Sequence, residues 1–196
     1  MKRKILLFTA MIVALASFTA CGKEKNDEQK SVKDDLIELV GTEIPDEEKK
    51  EIEAMNTYNG YFTGESEVDT AALLADLENT IIPKYEEFMT SVEAIEVEFD
   101  EVLAIKELYY SSMDYQLQAL RQVAEALKEE DADYQNEAAA LLEQAEGKYA
   151  EYLTAVEKLA SENNITIKNN SNITASKNDD SSEKDSDTEA AGAETE

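Results

Sequence analysis

The sequence predicts an all-α protein: an antiparallel three-helix bundle over residues 66–162, preceded by two short helices and followed by a disordered acidic C-terminal tail. Three observations predict this class. Between Ser66 and Glu162 apolar residues recur in steps of three and four, without the strict alternation that marks a half-buried strand. With the leader and the polar ends set aside, about 130 residues are left to fold, which suits one domain around one hydrophobic core. From Ser171 to Glu196 the chain is rich in Ser, Asp, Glu and Ala and holds no aromatic residue. Such a segment cannot bury enough apolar surface to offset the ordering of its backbone.

The N-terminal twenty-one residues form a separate unit. Lys2, Arg3 and Lys4 make a positive start, Ile5 to Ala20 is an apolar run too short and too Ala-rich for a stable span, and small residues precede Cys21. That is the pattern of an export signal and not of a membrane helix. Cys21 is the sole cysteine, so no intramolecular disulfide can form and the fold must be held by its core. The run Phe18-Thr19-Ala20-Cys21-Gly22 resembles the lipobox of bacterial lipoproteins, with Phe18 where that family usually has Leu. The resemblance implies a signal peptide over residues 1–20, cleavage between Ala20 and Cys21 by the lipoprotein signal peptidase, and a diacylglyceryl group carrying palmitate-type chains on the Cys21 sulfur. It also implies attachment to the outer, extracytoplasmic face of the cell membrane, or to the outer membrane if the organism is diderm. Two acyl chains hold a protein firmly where one holds it marginally. The competing readings are cleavage after Ala14-Leu15-Ala16, leaving a soluble chain with a free thiol, and an uncleaved anchor.

Removing residues 1–20 takes away three basic residues and no acidic one, so the formal charge goes from -27 to -30. A surface of that sign repels phosphate backbones and anionic headgroups, which disfavours nucleic acid and a charge-driven membrane contact. Membrane attachment then falls to the lipid. Residues 21–33 are polar and nearly charge-balanced, and read as a flexible tether beside the lipidated Cys21.

Residues 34–65 read as two short helices and an aromatic loop. Leu36, Ile37, Leu39 and Val40 support two turns before Gly41 supplies a stop. Pro45, with Asp46, Glu47 and Glu48 behind it, reads as a helix start, and Ile52 and Met55 continue its apolar face to an end near Asn56 to Asn59. Tyr58, Tyr61 and Phe62 then stand beside Gly60 and Gly64. This stretch is either an exposed recognition loop or a hydrophobic plug at one end of the bundle, and the plug is favoured because soluble proteins seldom leave such patches open.

Ser66-Glu67-Val68-Asp69 resembles a capping box and opens the first bundle helix. Its stripe is Leu74, Leu77, Ile81, Tyr85, Phe88 and Val92, and because it keeps phase across Pro83 one kinked helix is expected. A break follows at Ile95 to Glu98. The next helix runs from about Phe99 to Glu130 on Val102, Ile105, Leu108, Tyr109, Leu117, Leu120, Ala124 and Leu127. A straight continuation would place Asp131 on the apolar seam, so the chain is expected to turn there, with Asp131 or Asp133 capping a last helix built on Tyr134, Ala138, Leu141, Ala145, Tyr149, Tyr152, Val156 and Leu159. The alternative is one helix of about sixty residues that needs a partner chain along its length, which leaves the oligomeric state open. Length and stripes resemble helical-bundle lipoprotein ectodomains of unassigned function. Residues 163–196 complete the chain as the acidic tail, with Ile165 and Ile167 able at most to fold back on the last helix.

Chemistry is sparse. The chain has no histidine. That excludes the Glu-x-x-His pair of diiron bundles, the His-Glu-x-x-His of zinc proteases and imidazole-based triads. No Gly-rich phosphate loop and no EF-hand pattern occurs. A pair of glutamates acting as general acid and base needs one carboxyl raised by burial, whereas Asp and Glu fall mostly on the polar sides of the stripes. The sequence therefore predicts no catalytic residue, no metal and no cofactor. The expected function is a non-catalytic module that binds a protein or cell-envelope component, with Tyr58, Tyr61, Phe62, Tyr110 and Tyr115 as candidate partner-binding residues. A small-ligand carrier is the alternative, and a carboxylate-based enzyme the least favoured one.

Overall fold

The computed structural model describes residues 16–19, 30–63 and 67–169. Among them run four long helical rods, where three and two short pieces were expected. The first rod covers 32–60 as α1 (Val32–Glu38), a π-helical turn (Leu39–Glu43) and α2 (Ile44–Gly60). The second covers 70–94 as α3 (Thr70–Asp76), a π-helical turn (Leu77–Ile81) and α4 (Ile82–Ala94). The third is α5 (Asp100–Glu129) and the fourth α6 (Ala132–Glu162). A short antiparallel pair, β1 (Ala16–Thr19) with β2 (Thr166–Asn169), is the remaining regular structure, in the register Ala16 to Asn169 and Thr19 to Thr166.

The two expected short helices are one because Gly41 does not end α1. Ser31 starts the rod with a capping box, its hydroxyl accepting from the Asp34 N–H at 3.2 Å. Helical hydrogen bonding then runs through Gly41 inside the π turn. Pro45 lacks the N–H that would bond the Gly41 carbonyl, and Pro83 lacks the one that would bond Asn79. Both rods answer identically: Ile44 N–H bonds Leu39 O and Ile82 N–H bonds Leu77 O, each five residues back. The sequence Leu-x-x-Thr-x-Ile-Pro stands at both places, from Leu39 to Pro45 and from Leu77 to Pro83.

The rods alternate in direction. Lys84 on α4 pairs with Glu53 on α2 at 2.9 Å, and the Lys50 ammonium donates to the Ser91 hydroxyl at 2.6 Å. Arg121 on α5 pairs with Glu86 on α4 at 2.8 Å. α5 and α6 share the most extensive helix contact, and small buried residues, Ser112 and Ala119 on α5 with Ala138 and Ala145 on α6, let them approach. Ser112 Oγ donates to the Ala145 carbonyl at 2.8 Å inside that contact. Rings bridge the other rods: Tyr85 meets Phe88 edge-on at 5.5 Å, Phe88 meets Tyr109 at 6.4 Å, and Tyr109 meets Tyr152 at 5.2 Å.

The connections are capped from specific residues. Asp69 begins α3, accepting from Ala71 and Ala72 N–H at 3.2 and 3.0 Å; the expected cap residue Ser66 lies outside the described residues. Phe99 offers no side-chain cap to α5. Instead Asp35, 1% exposed on α1, accepts from Glu98 and Phe99 N–H at 3.0 and 3.1 Å and pairs with Lys30 at 2.8 Å. Lys106 donates to the Glu93 carbonyl at 2.7 Å and to that of Ile95, closing the end of α4. The chain turns at Glu130, which is left-handed with φ 56°, and Asp131 caps α6 by accepting from Asp133 N–H at 2.9 Å.

α6 ends in a Schellman motif around left-handed Asn164, with Ile165 N–H bonding Ala160 O at 2.8 Å. Ile165 is buried there and Ile167 packs against the core. The start of the expected tail thus folds onto the bundle, and residues 170–196 lie outside the described residues.

Candidate functional site

The first half of the expected aromatic loop is helix, while Tyr61 to Thr63 form a turn and residues 64–65 lie outside the described residues. α2 continues to Gly60, and Tyr58 on its last turn is fully buried, so it presents nothing to a partner. Phe62 lies over Tyr58 with centroids 5.1 Å apart. Tyr61 donates to Asp76 at 2.5 Å, and this hydrogen bond, with burial and nearby carboxylates behind it, pushes its phenol up to about 12. Tyr61 and Phe62 are half-buried and close one end of the first rod against the core. Tyr115 is half-buried on α5.

Tyr110 has different surroundings. With Glu93, Leu103, Lys106, Glu107 and Ser111 it lines a groove of about 390 Å³ between the end of α4 and the first half of α5. Leu103 is 38% exposed there, so an apolar side chain stands open to solvent in the groove. Lys106 is held at the wall by the two carbonyls that it caps. Burial, then the charges of Glu93 and Asp114, raise the Tyr110 phenol above its ordinary value.

A second assembly lies inside the bundle and has no counterpart in the sequence reading. On α2 the inward positions are Ile44, Glu48, Glu51, Ala54, Met55 and Tyr58, while Ile52 is 38% exposed. Glu48 and Glu51 are 6% and 3% exposed. Tyr109 donates to Glu48 Oε1 at 2.9 Å, whereas Glu51 Oε1 has no hydrogen-bond partner. Tyr85 donates to Gln116 Oε1 at 3.1 Å, and Gln116 Nε2 has no partner either. Burial pushes the Glu48 carboxyl up to about 7 against the pull of Tyr109, and burial followed by the charge of Glu48 pushes Glu51 up to about 8. The signal was present in the spacing: residues 44, 48, 51, 55 and 58 step by four and three along one face.

Among the described residues no three His, Cys, Asp or Glu side chains converge as a metal site, and no helix is long and apolar enough to cross a membrane. Ala20 and Cys21 lie outside the described residues. No curated protein and no solved structure matches the chain. A protein family does match, over residues 1–129, up to the last residue of α5. It is described as EMYY-motif containing lipoprotein. Glu107 and Tyr110 line the groove, and Tyr109 points inward to Glu48. The match spans well over half of the 196 residues, so the chain belongs to the EMYY-motif lipoproteins and is a membrane-attached protein.

Proposed function

We propose that the protein is a lipid-anchored, extracytoplasmic module without catalytic activity, which binds a protein or envelope component through the groove at Tyr110. Cleavage between Ala20 and Cys21 and acylation of Cys21 supply the anchor. Removal of the signal also removes β1, so the mature chain presents β2 with an open edge. The observation that carries the binding reading is the exposed Leu103 beside Tyr110, an apolar contact framed by Glu93 and Glu107. A formal charge of -30 after cleavage suits a basic partner, since complementary potentials speed encounter and suppress wrong pairings. The carboxylate-enzyme reading is less well supported, because Glu48 and Glu51 face the interior and do not border this groove.

A photo-reactive phenylalanine analogue at position 110, introduced into the full-length protein in cells, tests the reading. A discrete crosslinked partner is expected, lost when Leu103→Asp is added without change in helical content. Crosslinks absent, or unchanged by Leu103→Asp, would reject the groove as the binding face.

A further inference from the structure

The interior polar assembly takes no part in the groove, yet it is the most demanding feature of the core to build. Two carboxyls one turn apart on α2 are almost wholly removed from water. An ionised carboxylate in such a setting needs a paired cation or several donors. Glu48 receives one hydrogen bond and Glu51 Oε1 receives none. Among the described residues no cation pairs with either carboxyl. α4 presents the phenol of Tyr85, and α5 presents Tyr109 and Gln116, with Asp114 further along carrying a like charge. α6 presents Tyr149 and Tyr152. On α2 itself Lys50 is turned to Glu47 and Ser91. Among the described residues these neighbours are thus neutral or acidic. Gln116 Nε2, on a side chain 2% exposed, is a further unpartnered polar atom in the same assembly.

We propose that Glu48 and Glu51 form an internal proton-binding site that latches α2 onto α4, α5 and α6: protonated, the pair lets the helix seat, and ionised, it loosens the helix from the bundle. The π turn at Leu39–Glu43 just before α2 replaces the four-residue hydrogen-bond spacing by a five-residue one, a local departure from the regular ladder at which α2 can move. The direction in which burial moves both carboxyls supports the latch. Its ligand is the proton, and its range is the mildly acidic to mildly alkaline medium outside the cell.

Hydrogen exchange read by mass spectrometry on the full-length protein in detergent, corrected for intrinsic rates, tests the latch. Between about pH 6.5 and about pH 9, protection over residues 44–60 is expected to fall on the order of tenfold relative to α6, and to stay level in Glu48→Gln/Glu51→Gln. Equal loss in that double variant, or no loss in the wild type, would overturn the proposal. Should the variant fail to fold, infrared spectra of the wild type decide: an un-ionised carboxyl band of about two groups near pH 6.5, gone by about pH 9, is expected. Absence of that band rejects the site.

Discussion

Asp35 shows how one side chain joins distant parts of this chain. It lies on α1, yet it accepts the two N–H groups that precede α5, some sixty residues on, and its charge is met by Lys30. Asp35→Ala leaves those donors unmet and is expected to lower stability by about 2–4 kcal/mol in urea denaturation. Asp35→Asn, which keeps an acceptor, should lower it by about half as much. In the sequence Asp35 reads as one more first-turn acid, because its partners come from another element. Glu48 and Glu51 were hidden for a related reason. A glutamate on a helix is ordinarily solvated, and the apolar face of α2 was assigned through Ile52, which the fold leaves exposed. The spacing from Ile44 to Tyr58 held the information, but a reading that counts only apolar residues passes over it.

At the scale of elements, the helices from Thr70 onward follow their stripes closely. Leu77, Ile81, Tyr85, Phe88 and Val92 are all buried, and so are Val102, Ile105, Tyr109, Leu117 and Leu120. The turn at Asp131 was legible because continuing the helix would have buried an unpaired acid there. The first rod was not, since Gly41 and Pro45 are ordinary stop and start signals. What overrides them is tertiary packing: Leu39, Val40 and Ile44 are buried, which holds the chain helical through the π turn. The second occurrence of Leu-x-x-Thr-x-Ile-Pro at Leu77 to Pro83 was the cue that both prolines are handled alike. The extensive contact of α5 with α6 is built on small side chains. Ala145→Leu is expected to force α5 and α6 apart and to cost about 1–3 kcal/mol, seen as a lower midpoint in thermal unfolding. Ser112→Ala, which removes one buried hydrogen bond while the Ala145 carbonyl stays in the helical ladder of α6, should cost about 1 kcal/mol.

For the whole molecule, the interior pair ties stability to pH. Both carboxyls have folded values, about 7 and about 8, above the ordinary 4.5. The folded state therefore binds more protons than the unfolded chain across that interval, and stability falls as pH rises. Their contribution is fully present below about 4.5 and is lost as pH climbs through about 7 and about 8. Repulsion among 45 acidic residues acts in the same direction, so the separating control is the double glutamine variant. Its thermal midpoint should change less between about pH 6 and about pH 9 than that of the wild type, and an identical slope would assign the whole effect to the surface.

The anchor belongs to this scale too, because it sets where the bundle, its groove and its acidic surface operate. It is tested most directly by intact mass on protein recovered from the membrane fraction, with Cys21→Ala alongside. A chain beginning at Cys21 with acyl groups attached is expected, and no such species in the variant. A soluble chain starting at Ser17 with a free thiol would contradict the anchor.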